Sequence, residues 1–301
     1  MKSYIPGFRR WPITCFASAV EKNSPKVLIV GGDAFLSQGI QEALAARAIW
    51  FVKTTRRSTA SKKIYLDLLC PEDFLRINFR KYSDVIFLAG ITRIQDCEED
   101  KKISHSINVD NTFQLAQAAA QGKCRLIAMS SSLALGLDLN RSKNPDDWPE
   151  YGRQKLRLER KLQALTANLV LLRPGKILGY NHPLISNWMR RLSQGNEIYC
   201  FSNKSVSPIS DKFIGKLVAD VVESDFTGLI NICASSQVSY YELALRLAKK
   251  MGVSSSLVRK TKSKLVFQEP SLNRGVARSG GLDNLQIQRP SIDSCLEDLI
   301  A

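Results

Sequence analysis

Short, uninterrupted apolar runs that alternate with segments of helical period constrain this chain more than any other feature. Lys26-Val27-Leu28-Ile29-Val30 ends at Gly31-Gly32, and Leu36, Ile40 and Leu44 follow at helical spacing. That order spells strand, tight turn, helix. Residues 48–52, 83–89, 125–129 and 168–172 read as further strands, and residues 111–120 and 151–165 as helices. A strand that is apolar throughout, rather than at every second position, is one covered on both faces. The expected fold class is therefore α/β, a doubly wound parallel sheet whose right-handed crossovers leave a ligand cleft at the carboxyl ends of the strands.

After Arg173-Pro174-Gly175 the alternation weakens. Residues 184–194, 211–223 and 240–251 look helical and 228–233 look like a strand, which predicts a smaller C-terminal α/β substrate lobe. The expected division is an N-terminal extension over 1–25, a Rossmann dinucleotide-binding domain over 26–174 and a substrate-binding lobe over 175–301. The extension holds Pro6, Arg9, Arg10, Pro12 and Pro25 without a steady period, and reads as disordered or as a weakly supported transit segment. No apolar run approaches the roughly 20 residues that cross a bilayer. Seven scattered cysteines without a Cys-x-x-Cys pair fit a reduced, cytoplasmic protein. The two histidines, His105 and His182, stand far apart, so neither a metal site nor a histidine triad is expected. A net charge of +15 raises nucleic-acid binding, with 259–264 its best local case. The basic residues are otherwise spread along the chain, so no nucleic-acid partner is expected, and the field suits a small anionic substrate.

Chemistry enters with Tyr151-Gly152-Arg153-Gln154-Lys155. Residues four apart on a helix share a face, so the lysine ammonium can lie beside the tyrosine phenol. At an effective dielectric near 20 and a separation of about 4 Å, one positive charge is worth roughly 4 kcal/mol, enough to lower a phenol pKa by about three units. Tyr151 is thereby a candidate general acid or base. Ser130-Ser131-Ser132, at the end of the strand that precedes it, supplies hydroxyls.

The turn Gly31-Gly32-Asp33-Ala34-Phe35-Leu36-Ser37 stands where backbone N–H groups and a helix N-terminus hold a pyrophosphate. Here the chain resembles the extended short-chain dehydrogenase/reductase family, the NAD-dependent epimerase/dehydratase type, whose turn reads Gly-x-x-Gly-x-x-Gly. Ala34 and Ser37 replace the second and third glycines, a departure that either weakens cofactor binding or is absorbed by a relaxed turn. Asp33 brings a negative charge towards the phosphates unless it caps the helix or faces water. At the end of the second strand, Lys53-Thr54-Thr55-Arg56-Arg57 contains no acid to receive a ribose 2′-hydroxyl, while two guanidiniums suit a 2′-phosphate. The resemblance then implies NADPH in preference to NADH, with NAD still possible.

Other stretches resemble the family in the right order. Asp67-Leu68 matches its adenine-side pair, Leu88-Ala89-Gly90 its loop below the nicotinamide ribose, Asn108-Val109-Asp110-Asn111-Thr112 its Asn-Val-x-Gly-Thr segment with Asn111 for the glycine, and Arg173-Pro174 with Gly179 its loop beside the nicotinamide. The resemblance implies Ser131 as the catalytic hydroxyl, counted five residues before Gly136, and Lys155 as a ligand of the ribose as well. Ser207-Pro208-Ile209-Ser210-Asp211 and Val238-Ser239-Tyr240-Tyr241-Glu242-Leu243 resemble the branch that contains dTDP-4-dehydrorhamnose reductase and sugar-nucleotide-binding relatives. Ser132, Arg190 and Arg191 become candidate substrate contacts. The expected activity is NADPH-dependent reduction of a keto-sugar nucleotide, with a nucleotide-sugar epimerase as the second enzymatic reading. Dehydratases of the family place an Asp-Glu pair after the catalytic hydroxyl, and Ser132-Leu133 stands there instead. A non-catalytic nucleotide-binding or scaffold protein is the reading from another class. Pairing into a homodimer is implied by the resemblance alone.

Overall fold

The computed structural model describes residues 26–57, 63–134, 148–263 and 281–300, so the expectations for residues 1–25, Gly136 and Lys264 lie outside the described residues. The chain runs β1 (Lys26–Val30), α1 (Ser37–Ala46), β2 (Trp50–Thr55), β3 (Lys63–Tyr65), β4 (Asp84–Phe87), α2 (Ile94–Glu99), α3 (Lys101–His105), α4 (Thr112–Gln121), β5 (Arg125–Met129), α5 (Glu150–Leu165) and β6 (Leu169–Pro174). It continues through β7 (Lys176–Leu178), α6 (Pro183–Ser193), β8 (Ile198–Phe201), β9 (Ser205–Val206), β10 (Pro208–Ser210), α7 (Asp211–Glu223), β11 (Gly228–Ile232), β12 (Val238–Ser239), α8 (Tyr240–Lys250), β13 (Val258–Thr261), α9 (Gly281–Asn284) and α10 (Ile292–Ile300).

Seven strands form one parallel sheet in the order β11-β6-β5-β4-β1-β2-β3. The order reverses between β1 and β4, the topological switch point at which a cleft opens beyond the strand ends. Alternate residues of β1 serve opposite faces, as a pleated strand requires. Val27 and Ile29 join a core with Ile40, Leu44, Ile214 and Val218, whereas Leu28 and Val30 join one with Leu115, Leu158 and Leu162. Both faces are covered, which is why the strand runs are apolar throughout.

The expected boundary at residue 174 is crossed. Strand β11, expected in the second lobe, pairs with β6 from Gly228↔Val170 to Ile232↔Pro174 and completes the central sheet. Helix α7, which leads into it, packs on α1 where two glycines meet, and a Cβ on Gly215 would stand 2.3 Å from the Gly39 carbonyl oxygen. The physical reason is the free edge of β6, whose unpaired backbone N–H and C=O groups a neighbouring strand satisfies. The remaining C-terminal elements enclose a separate core of Ile185, Trp188, Leu192, Leu243, Leu247 and Leu296.

Candidate active site

Helix α5 carries the phenol and the ammonium. Its first turn is fixed against the end of β5: the Trp148 indole Nε1 donates to the Leu133 carbonyl at 2.8 Å, and a Cβ on Gly152 would meet both Trp148 and Leu133. Glycine at 152 lets helix and loop approach. Tyr151 is half-buried, and the Lys155 ammonium lies 5.7 Å from the centre of its ring while donating to the Met129 carbonyl at 2.8 Å. Ser131 follows two residues after Met129, so the fold brings Tyr151, Lys155 and Ser131 to one strand end.

The three serines have different tasks. Ser130 is buried and donates to Glu159, and Ser132 is buried in the turn over residues 132–134. Ser131 is the one with partial exposure; its Oγ accepts from Leu133 N at 3.2 Å. Ser132, expected from sequence among the substrate contacts, is enclosed here.

Below these residues runs a polar layer that sequence reasoning missed. Glu159, one helical turn past Lys155, receives the Arg173 Nε at 2.9 and 3.1 Å, and both side chains are nearly inaccessible. Gln154, fully buried, accepts from Asn108 Nδ2 at 2.8 Å and donates to Ser104 at 2.8 Å; Asn108 also holds the backbone of Ile91 from both sides. The Cys97 thiol lies in the same layer, bonded to the Ile91 carbonyl. A signal was available: Gln154 and Glu159 are polar residues on the apolar face of an amphipathic helix, and a buried charge requires a partner.

Electrostatics here depart from the expectation for Tyr151. Burial raises the phenol above its ordinary value, Cys97 raises it further, and no lowering by Lys155 offsets them. The ammonium sits against the ring and bonds to a carbonyl instead of reaching the hydroxyl. Burial also lowers Lys155, from 10.5 to about 8, although Glu159 and Cys97 oppose that shift. At pH 7 the pair is therefore a neutral phenol beside a charged amine.

The glycine turn keeps its form despite Ala34 and Ser37. Ala34 N donates to Gly31 O at 3.0 Å and Ser37 N to Ala34 O at 2.9 Å, while the fully buried Ser37 hydroxyl is satisfied by Gln41. Gly31 is obligatory: its φ is +93°, and a Cβ would stand 2.5 Å from Ala89 N. The first turn of α1 has no side-chain cap and no acid, so beyond Ser37 the N–H groups of Gln38 and Gly39 stay available to an anion. Leu36 is its N-cap, and Phe35 extends to an edge-on contact with His182, ring centres 5.9 Å apart. Desolvation and Lys176 lower His182 to about 4, so it is neutral at pH 7.

Arg56 and Arg57 follow the tip of β2, both exposed. Leu68 is buried, its carbonyl bonded by Asn111 at 2.6 Å, and Asp67 accepts from Leu69 N. Asn111 thus does work at the expected glycine, closing a π-helical turn over Ser106–Asn111. Leu88 and Ala89 both donate to Val30 O, and Gly90 packs on Asn108. Pro174 is buried at the end of β6. The turn, the β4 loop and Pro174 thus stand at the carboxyl ends of the strands, the rim expected for a dinucleotide, where the N–H groups of Gln38 and Gly39 are placed to meet its phosphates. Arg190 is exposed and bonded to Asn187, whereas Arg191 directs two donors at the Glu197 carbonyl, which makes it a tether for the loop after α6 instead of a free anion ligand. Among the described residues there is no cluster of metal-binding side chains and no helix long and apolar enough to cross a membrane.

A family model described as the RmlD substrate binding domain matches residues 25–271. No curated protein sequence matches significantly. Among solved structures, dTDP-4-dehydrorhamnose reductase from Bacillus anthracis str. Ames in complex with NADP superposes with a TM-score of 0.77 at 16% identity, covering 92% of this chain and 98% of that one. A dTDP-4-dehydrorhamnose reductase from Clostridium acetobutylicum gives 0.76 at 19% identity, covering 91% and 98%. UDP-glucose 4-epimerase from Thermus thermophilus, complexed with NAD, gives 0.70 at 18% identity, covering 92% and 99%. Such identities speak for the fold, and the family model spans most of the chain. With the ordered motifs and the switch-point sheet, these matches make the chain a member of the RmlD substrate binding domain family, within the extended short-chain dehydrogenases/reductases.

Proposed function

We propose that the protein is a nicotinamide-dependent oxidoreductase of a nucleotide sugar, and that its reaction is the NADPH-dependent reduction of a keto-sugar nucleotide. One observation carries this reading: a half-buried phenol stands against a lysine whose ammonium is bonded to the last carbonyl of β5, the strand that Ser131 follows by two residues. A cofactor along the rim would supply the hydride. Tyr151 donates its proton to the carbonyl oxygen as that oxygen gains charge. Ser131 donates a hydrogen bond to the same oxygen, and Lys155 supplies positive charge to the developing anions. Reduction draws a proton from the phenol, whereas an epimerase must first remove one from a sugar hydroxyl, and burial of Tyr151 favours its protonated form. The similar reductases and epimerases support the substrate class.

The decisive assay offers keto-sugar nucleotides with NADPH or NADH to the wild type and to Tyr151→Phe. The expected result is turnover by the wild type, loss of at least about a hundredfold in the variant from removal of the general acid, and cofactor affinity nearly unchanged. Activity retained in Tyr151→Phe removes Tyr151 from the mechanism. Tight retention of NAD with interconversion of sugar epimers favours the epimerase, and binding of neither coenzyme favours the scaffold.

A further inference from the structure

No acid follows the second strand in sequence, yet the fold delivers one there. Asp33 belongs to the turn after β1, and that turn is tied to the tip of β2: Gly31 N donates to the Thr54 hydroxyl at 3.0 Å and Gly32 N to the Thr54 carbonyl at 2.9 Å. The Asp33 carboxylate accepts from the hydroxyl of Thr55, the last residue of β2, at 2.5 Å. The same Thr55 oxygen accepts from Arg57 N at 3.0 Å, and the Arg57 Nε stands 3.9 Å from the Asp33 carboxylate. Asp33 neither caps α1 nor extends freely into water.

In a doubly wound sheet, the tip of the second strand is where an acid receives the ribose hydroxyls of NAD, or an arginine receives the 2′-phosphate of NADP. Here both kinds of group converge. We propose that Asp33 is a specificity-determining residue that accepts the ribose 2′-hydroxyl, opposes a 2′-phosphate and occupies Arg57, so that the protein binds NADH as well as NADPH. The inference rests on the cofactor reading above and alters one part of it. Two guanidiniums alone would give a strong preference for the phosphorylated coenzyme; with the carboxylate held among them the local positive charge falls by one. The Thr55 hydrogen bond sets this apart from an ordinary surface ion pair, because it fixes the carboxylate before any ligand arrives. Lys53, whose ammonium is bonded to the neutral Gln41 side chain at 2.5 Å, adds a further positive charge that favours both coenzymes' phosphates and leaves the one-unit drop due to Asp33 the same.

The test is calorimetric titration of the full chain with NADH and with NADPH, for the wild type, Asp33→Asn and Arg57→Gln. Asparagine keeps an acceptor for Thr55 and removes the charge. The wild type is expected to bind both coenzymes with dissociation constants within about tenfold of each other; Asp33→Asn raises the preference for NADPH by a further factor on the order of ten, the worth of one charge-assisted hydrogen bond. Arg57→Gln moves the preference towards NADH. Two measurable affinities whose ratio is unchanged in Asp33→Asn, or a shift of both variants in one direction, overturns the assignment to Asp33 and leaves the oxidoreductase reading standing. Binding of neither coenzyme by the wild type overturns both.

Discussion

At the scale of single residues, the site depends on where the proton of Lys155 resides. Burial lowers the Lys155 pKa, Glu159 on the same helix and Cys97 on α2 oppose that shift, and the Met129 carbonyl on β5 accepts its hydrogen bond. With its pKa lowered to about 8, Lys155 is charged below that pH and neutral above it. Because kcat/KM reports the free protein, it should fall as pH rises through about 8. Glu159 is the charge that holds the value up, so Glu159→Gln should move the fall to lower pH. It should also lower stability by about 3 kcal/mol, since Arg173 is left as an uncompensated buried charge. A pH profile of each protein, measured well below the variant's melting temperature, checks both points. A fall at the same pH in both would separate Glu159 from Lys155. The phenol was readable in sequence as a candidate catalytic group; its raised pKa was not, because it comes from burial and from Cys97, which lies far away in the chain.

At the scale of elements, the phosphate turn and the helix behind it show what a missing glycine does. Ala34 and Ser37 are tolerated because the turn closes through backbone bonds and the serine hydroxyl finds Gln41. Gly31 and Gly215 tolerate nothing comparable. The expected effect of Gly31→Ala is a loss of about 1–3 kcal/mol from backbone strain, together with a displaced Ala89 and weakened coenzyme binding. For Gly215→Ala, the Cβ would strike the Gly39 carbonyl, and prying α7 from α1 should cost about 1–3 kcal/mol. Urea unfolding of both variants measures the stability losses; a neutral Gly215→Ala would mean that the two helices do not approach as closely as described. The position of Gly31 at a strand-to-helix turn was visible in sequence, whereas the importance of Gly215 depends on a helix near the other end of the sheet-forming sequence.

For the whole molecule, the crossing of the boundary at residue 174 carries a thermodynamic consequence. Strand β11 pairs with β6, and α7 packs on α1, so residues from the expected substrate lobe are integral to the central core. Loss of either part exposes the other. Calorimetric melting should accordingly show one cooperative transition, and two well-separated transitions would show that the C-terminal core of Trp188, Leu243 and Leu296 folds by itself. Apolar runs, their helical alternation and the Tyr151–Lys155 spacing were sufficient to specify an α/β parallel sheet with a polar pair at a strand end, because these are local patterns that each segment carries in its own residues. Tertiary structure alone decided that Gly228–Ile232 is the outermost strand beside β6, that Glu159 meets Arg173, and that Asp33 stands at the tip of β2. Each of those depends on a pairing between distant segments, chosen by which edge, charge or hydroxyl the finished sheet leaves unmatched.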